Sequence, residues 1–141
     1  MTPRPVTLVT GGGRGIGAAT VRALARAGHD VVVGYRRDSE AATRVVDSAR
    51  SEGVKAIAVR ADVVREDEVE HLFATALEQL GPVTGLVSNA GVTAHIGDLA
   101  ETPVDVIREV VDVNLVASIL CAREAARLMS VRRGGGGGSI V

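Results

Sequence analysis

The chain has 141 residues, of which 46% are hydrophobic and 1% aromatic, with a formal net charge of −1 at pH 7. That length is one domain or less and suffices to bury roughly two-thirds of the unfolded surface, while the balanced charge and the two aromatics, Tyr35 and Phe73, argue against nucleic acid as the main partner. No apolar run approaches a membrane span, and the single cysteine, Cys121, allows no internal disulfide, so the expected setting is cytoplasmic and away from membranes.

The segment Met1-Thr2-Pro3-Arg4 leads directly into a β-type run, Val6–Thr10, without the apolar region of a signal peptide. The run ends in Gly11-Gly12-Gly13-Arg14-Gly15-Ile16-Gly17 and passes into a helical pattern over 16–27 that stops at Gly28. A strand feeding a glycine turn that opens a helix aims free backbone N–H groups and the positive end of the helix dipole at one point. A pyrophosphate fits there. Gly11 makes the turn, Gly15 permits close backbone approach and Gly17 permits packing of the helix near the strand. The spacing is G-x-x-x-G-x-G, and no register gives G-x-G-x-x-G.

A second strand over 31–35 is followed by a helix over about 39–52, a third strand over 56–60 and a helix over about 66–80 closed by Gly81-Pro82. A fourth strand over 84–88 precedes a long helical region from about Pro103 to Met129, and Ser139-Ile140-Val141 opens a fifth strand. Repeated β-α units of this length predict an α/β fold, a doubly wound parallel sheet with right-handed crossovers. In the long helical region Ile107, Val110, Val111, Leu115, Ile119 and Ala122 recur at three- and four-residue steps, which predicts a buried stripe bearing Asn114 and Ser118. A buried amide must find partners, so Asn114 is either a structural bridge or part of a site. Gly134–Gly138 reads as a flexible helix-to-strand connection or, alternatively, a domain linker. His29, His71 and His95 have no mutual spacing that makes a metal site and read as surface residues.

Ligands of doubly wound sheets bind beyond the carboxyl ends of the strands. The second strand ends in Gly34-Tyr35-Arg36-Arg37, where an NAD site would place a carboxylate for the ribose hydroxyls; Asp38 comes about three residues late. Arginines here, with Arg14 in the glycine loop, suit a 2′-phosphate; a solvated basic corner is the alternative. The third strand ends in Asp62-Val63, with Asp62 equally readable as a turn or helix-start residue, and the fourth ends in Asn89-Ala90-Gly91, readable also as a plain turn.

Thr10-Gly11-(x)3-Gly15-Ile16-Gly17, Asp62-Val63, Asn89-Ala90-Gly91 and Val113-Asn114-Leu115, in that order, resemble the motifs of the short-chain dehydrogenase/reductase family over the whole chain. The resemblance is to the 3-oxoacyl carrier-protein reductase and sugar dehydrogenase branches, too broad to name a substrate. The resemblance implies a Rossmann-type sheet of order 3-2-1-4-5 and a cofactor site of Thr10, Gly11, Gly13, Arg14, Gly15, Ile16, Gly17, Tyr35, Arg36 and Arg37, completed by Asp62 and Val63 at the adenine and by Asn89, Ala90 and Gly91. Asn114 would be the helix asparagine of the catalytic tetrad, holding a water in the proton relay. The implied reaction is NADP(H)-dependent interconversion of a carbonyl and a secondary alcohol, with NADP(H) favoured over NAD(H), a small-molecule substrate and a homo-oligomeric whole.

The sequence departs from the family pattern in one respect. Its only tyrosine is Tyr35 and its only lysine is Lys55, so it holds no Y-x-x-x-K pair, and Ser139 comes too early for the family's serine. Residues 1–141 are therefore expected to be an NAD(P)-binding domain cut in the fifth strand and inactive alone. The alternative is a non-catalytic dinucleotide-binding module or subunit.

Overall fold

The computed structural model describes residues 2–93 and 96–141; His95 and Ala94 lie outside the described residues. Five parallel strands, β1 (Val6–Val9), β2 (Asp30–Tyr35), β3 (Ala56–Arg60), β4 (Val83–Val87) and β5 (Ser139–Ile140), form one sheet in the order β3-β2-β1-β4-β5. The order reverses between β1 and β4, which opens a crevice at the carboxyl ends of these two strands. Both are thus poised to carry ligand-binding residues.

Side chains alternate across the sheet and two cores result. Leu8, Val32 and Leu86 point to one face, against Leu72 and Phe73 of α3 (Glu66–Leu80) and Cys121, Ala125 and Met129 of α5 (Ala117–Met129). Val9, Val31 and Val33 point to the other, against Val21 and Ala25 of α1 (Gly15–Arg26) and Ala42, Val45 and Ala49 of α2 (Ser39–Ser51). Covered on both faces, β1 and nearly all of β2 are buried, which is why they read as near-continuous Val/Leu runs rather than as alternating ones. Helix α1 stops in a Schellman motif: His29 N–H bonds the Leu24 carbonyl and Gly28 N–H that of Ala25, both at 3.0 Å.

The long helical region spans α4 (Val104–Val111), a π turn (Asp112–Val116) and α5, preceded by a 3-10 turn, Leu99–Glu101. The expected buried stripe is not buried. Ile107, Val111, Leu115 and Ile119 are 42–56% exposed, and the face that packs on the sheet is Ala117, Cys121, Ala125 and Met129. Helical spacing reports that a face is apolar; which face the sheet takes depends on how closely the helix can approach. The small residues at 117, 121 and 125 let it lie flat, and the larger branched chains are left outward.

The glycine run also differs from the expectation of a flexible connection. Gly135 N–H bonds the Ser130 carbonyl at 2.9 Å and Gly137 N–H that of Met129 at 2.8 Å, closing the chain back on the end of α5. A Cβ on Gly138 would lie 2.5 Å from the Thr84 carbonyl oxygen and collide with the Met129 sulfur. Gly135 and Gly138 have no room for a side chain, because the chain passes close against the end of α5 and against Thr84 here. His71 is exposed as expected, but His29 is half-buried, its Nδ1 2.8 Å from Thr7 Oγ1.

Candidate cofactor-binding site

The strand ends of the crevice surround a cleft of ≈ 580 Å³. Gly11, Gly13, Arg14, Gly15 and Ile16 form its floor where β1 runs into α1. Tyr35, Arg36 and Arg37 close one end, and Asp62 with Val63 stands beside them. Asn89, Ala90 and Gly91 form the facing wall, so thirteen of the fifteen residues expected to bind cofactor line one cavity. The other two, Thr10 and Gly17, lie immediately behind the lining.

Arg14 occupies the N-cap position of α1 in extended conformation and gives no side-chain cap, so the first N–H groups of the helix are left for whatever enters the cleft. Gly15 has φ +54° with open space around its Cβ position, so its glycine identity serves the backbone conformation and leaves the floor bare. Gly17 is different. A Cβ there would collide with the Gly11 carbonyl and lie 2.6 Å from Asn89 Nδ2, so only glycine lets α1 start this close to β1. Ile16, despite its bulk, is 79% exposed.

Thr10 and Asn89 tie the two strand ends together. The fully buried Thr10 hydroxyl oxygen accepts from the N–H groups of Asn89 and Ala90, both at 3.0 Å. Asn89 Nδ2 donates to the Thr10 and Gly11 carbonyls, both at 3.1 Å. The side chain of Asn89 thereby shapes the glycine turn from across the sheet.

Beside Tyr35 and Arg36, Asp62 Oδ1 accepts from Val64 N–H at 3.3 Å and Asp62 Oδ2 lies 3.4 Å from Arg36 Nε. The Asp62 N–H donates to Glu68 Oε2 at 2.6 Å, which anchors the turn to α3. Asp62 is therefore a turn residue and also a cleft residue. Asp38 is the N-cap of α2, accepting from Ala41 N–H at 2.9 Å, in keeping with its late position.

Asn114 sits in the π turn, one step behind the cleft. Its Oδ1 accepts from Val92 N–H and its Nδ2 donates to the Val92 carbonyl, both at 2.8 Å. Val92 lines the cleft. Asn114 is exposed rather than buried as expected, because the face of the long helical region that carries it does not pack on the sheet; both ends of its amide are taken up by backbone, so the side chain bridges to the segment after β4. Val92 and Val113 also line the cleft, as does Glu109 of α4, which was missed in the sequence because no spacing rule connects α4 with the strand ends.

Burial pushes the Cys121 thiol up to about 11, and it faces the sheet core, away from the cleft. Among the described residues no group of three or more His, Cys, Asp or Glu is arranged to hold a metal ion, and no helix is long and apolar enough to cross a membrane.

The fold and the cleft define a doubly wound α/β protein, and a short chain dehydrogenase family profile matches residues 5–141. The chain belongs to the short-chain dehydrogenase family, whose members bind NAD(P). It is 41% identical over 130 residues to a 3-oxoacyl-[acyl-carrier-protein] reductase of Synechocystis, covering 92% of this chain and 52% of that protein. Among solved structures, a short-chain type dehydrogenase/reductase from Mycobacterium marinum superposes with a TM-score of 0.90 at 33% identity, covering 98% of this chain and 54% of that one. A short chain dehydrogenase from Burkholderia cenocepacia in complex with NADP gives a TM-score of 0.83 at 37% identity, covering 88% of this chain and 50% of that one. The chain spans about half the length of the curated relatives it matches.

Proposed function

We propose that the protein is an NADP(H)-dependent oxidoreductase that interconverts a small-molecule carbonyl and a secondary alcohol, with residues 1–141 as its NAD(P)-binding domain. The observation that carries the reading is the bare, uncapped start of α1, with Arg14 at its N-cap, at the floor of a cleft also lined by Arg36 and Arg37. These residues would suit the cofactor: Gly17 lets α1 start close to β1, where free N–H groups would meet a pyrophosphate, and Arg14, Arg36 and Arg37 line the same cleft with charge that would suit a 2′-phosphate. Bound NADP(H) would supply the hydride or accept it.

The chain's own groups would bind and orient. N–H groups at Gly15 and Ile16 would hold the pyrophosphate, Asp62 and Val63 the adenine edge, and Asn89, Ala90 and Gly91 the ribose side of the cleft. Asn114, through Val92, would hold the wall beside the reacting end. The proton donor of the family reaction is not among these residues, since Tyr35 lines the adenosine end and Lys55 precedes β3. Residues 1–141 alone would bind cofactor at best weakly and not turn over.

The exposed Ile107, Val111, Leu115 and Ile119 support a homo-oligomeric whole, and nothing favours nucleic acid or a membrane as partner. A cytoplasmic setting accords with the single, buried, protonated thiol. The position of Tyr35 favours one second reading, a dinucleotide-binding subunit without chemistry of its own. NADPH binding and NADPH oxidation with a panel of ketones, measured on the protein at its full encoded length, test both: binding with oxidation supports the enzyme, binding without oxidation the subunit, and no binding overturns both.

A further inference from the structure

Ser118 stands one helical turn after Asn114, half-buried and outside the cleft lining. Its Oγ donates to the Asn114 carbonyl at 3.0 Å. Thr20 and Thr43 make the same kind of bond, to the Ile16 and Ser39 carbonyls, both at 2.8 Å, inside the regular helices α1 and α2. Ser118 differs in what it holds. The Asn114 carbonyl belongs to the π turn Asp112–Val116, where the Ala117 N–H reaches back to the Asp112 carbonyl. Such a turn interrupts the regular ladder, and a hydroxyl bonded to a carbonyl one turn back favours a bent backbone there. Neither α4 nor the π turn buries a residue, whereas Ala117 and Cys121, on either side of Ser118, are buried against the sheet. Packing therefore does little to fix the turn, and hydrogen bonds must do it.

We propose that Ser118 is a positioning residue for the reacting end of the site: by fixing the Asn114 carbonyl it fixes the π turn, and through the turn the amide that holds Val92 in the cleft wall. This rests on the oxidoreductase reading above. The Asn114 amide meets the N–H and the carbonyl of one residue, Val92, at 2.8 Å each. Its accepting and donating ends fit those groups in one sense only, so its aim is set by the backbone that carries it. Space at the crossing is tight as well. A Cβ on Gly91 would lie 3.3 Å from Asn114 Oδ1. Ser118 thus ties an element with no buried anchor of its own to α5, which has one, and passes that anchorage to the wall.

The test is hydrogen exchange at the Val92 N–H together with steady-state kinetics, on the protein at its full encoded length. Ser118→Ala should speed that exchange by roughly three- to tenfold and lower kcat for ketone-dependent NADPH oxidation by a similar factor, with NADPH affinity little changed. Ser118→Thr, whose hydroxyl can make the bond that Thr20 and Thr43 make, should recover both; Ser118→Val should recover neither. In an Asn114→Ala background, Ser118→Ala should add no further loss of kcat, as expected when one residue acts through the other. Thr43→Ala, which removes an equivalent bond from a regular helix, should leave both readouts unchanged. Unaltered Val92 exchange in Ser118→Ala would overturn the proposal, as would faster exchange with kcat unchanged, an additive loss on top of Asn114→Ala, or an effect of Thr43→Ala of the same size. A protein that never oxidises NADPH would overturn the oxidoreductase reading instead, and exchange at Val92 would still confirm or refute the hold of Ser118 on the wall.

Discussion

Thr10 Oγ1 accepts two backbone N–H groups from the end of β4, those of Asn89 and Ala90, each at 3.0 Å, while Asn89 Nδ2 returns a bond to the Thr10 carbonyl at 3.1 Å. Two neighbouring strands are thus latched at the point where the crevice opens. Thr10→Val keeps the shape but removes the acceptor and leaves buried donors short of a partner, a loss of about 1–3 kcal/mol. Denaturant unfolding should show that loss, with NADPH affinity falling as well; Thr10→Ser should lie close to the unaltered protein. A Thr10→Val protein of unchanged stability would contradict the latch.

Gly17→Ala, the smallest possible insertion, should abolish measurable NADPH binding, because its Cβ meets backbone at Gly11 rather than a side chain that could swing away. Gly15→Ala should be milder, since its Cβ points into open space and the cost is that of a non-glycine residue at φ +54°, about 1 kcal/mol. Titration of the two folded variants should rank them in that order.

Asn114→Ala removes both bonds to Val92 and should loosen the wall beside the reacting end without touching the adenosine end. If the protein turns over as proposed, kcat should fall by roughly tenfold or more while NADPH affinity changes little. Steady-state kinetics beside cofactor titration would expose the opposite pattern.

The Cys121 thiol, raised from 9.0 to about 11 by burial, is protonated in the folded protein over the ordinary range. The unfolded chain releases that proton first, so stability is intact below about pH 9 and declines as pH rises through 11. Cys121→Ala should flatten the decline seen in unfolding experiments between these values. Alkylation by iodoacetamide at pH 8 should be slow in the native protein and fast in denaturant.

Gly138→Ala should destabilise the protein by about 1–3 kcal/mol, since the new methyl would force Met129 and the Thr84 carbonyl apart. A flexible linker would tolerate it with no shift in the unfolding midpoint.

The alternation of strands and helices, the parallel sheet and the glycine loop were legible in the sequence because each is a local statement. Val31 to Tyr35 is a strand whichever face it buries, and Gly28, Gly53 and Gly81 end helices through their own backbone. Most cleft residues were legible as a set for the same reason: they stand where a strand runs into the helix after it, whereas Glu109 and Val113 come from the long helical region. Three things were decided only by tertiary structure. The apolar periodicity of Ile107, Val111, Leu115 and Ile119 is real, but the sheet accepted the smaller face of Ala117, Cys121 and Ala125, since approach distance is a property of two surfaces and not of one helix. The glycines at 135 and 138 signal flexibility by composition and turn out to be close contacts, because the chain they meet, at Leu128, Met129 and Thr84, is not adjacent in sequence to the run's far end. Above all, the inequality of Arg36 and Arg37 is invisible in a row of letters: β2 and β3 bring Asp62 beside the first and not the second, and a charge's chemistry depends on whether its partner is already there.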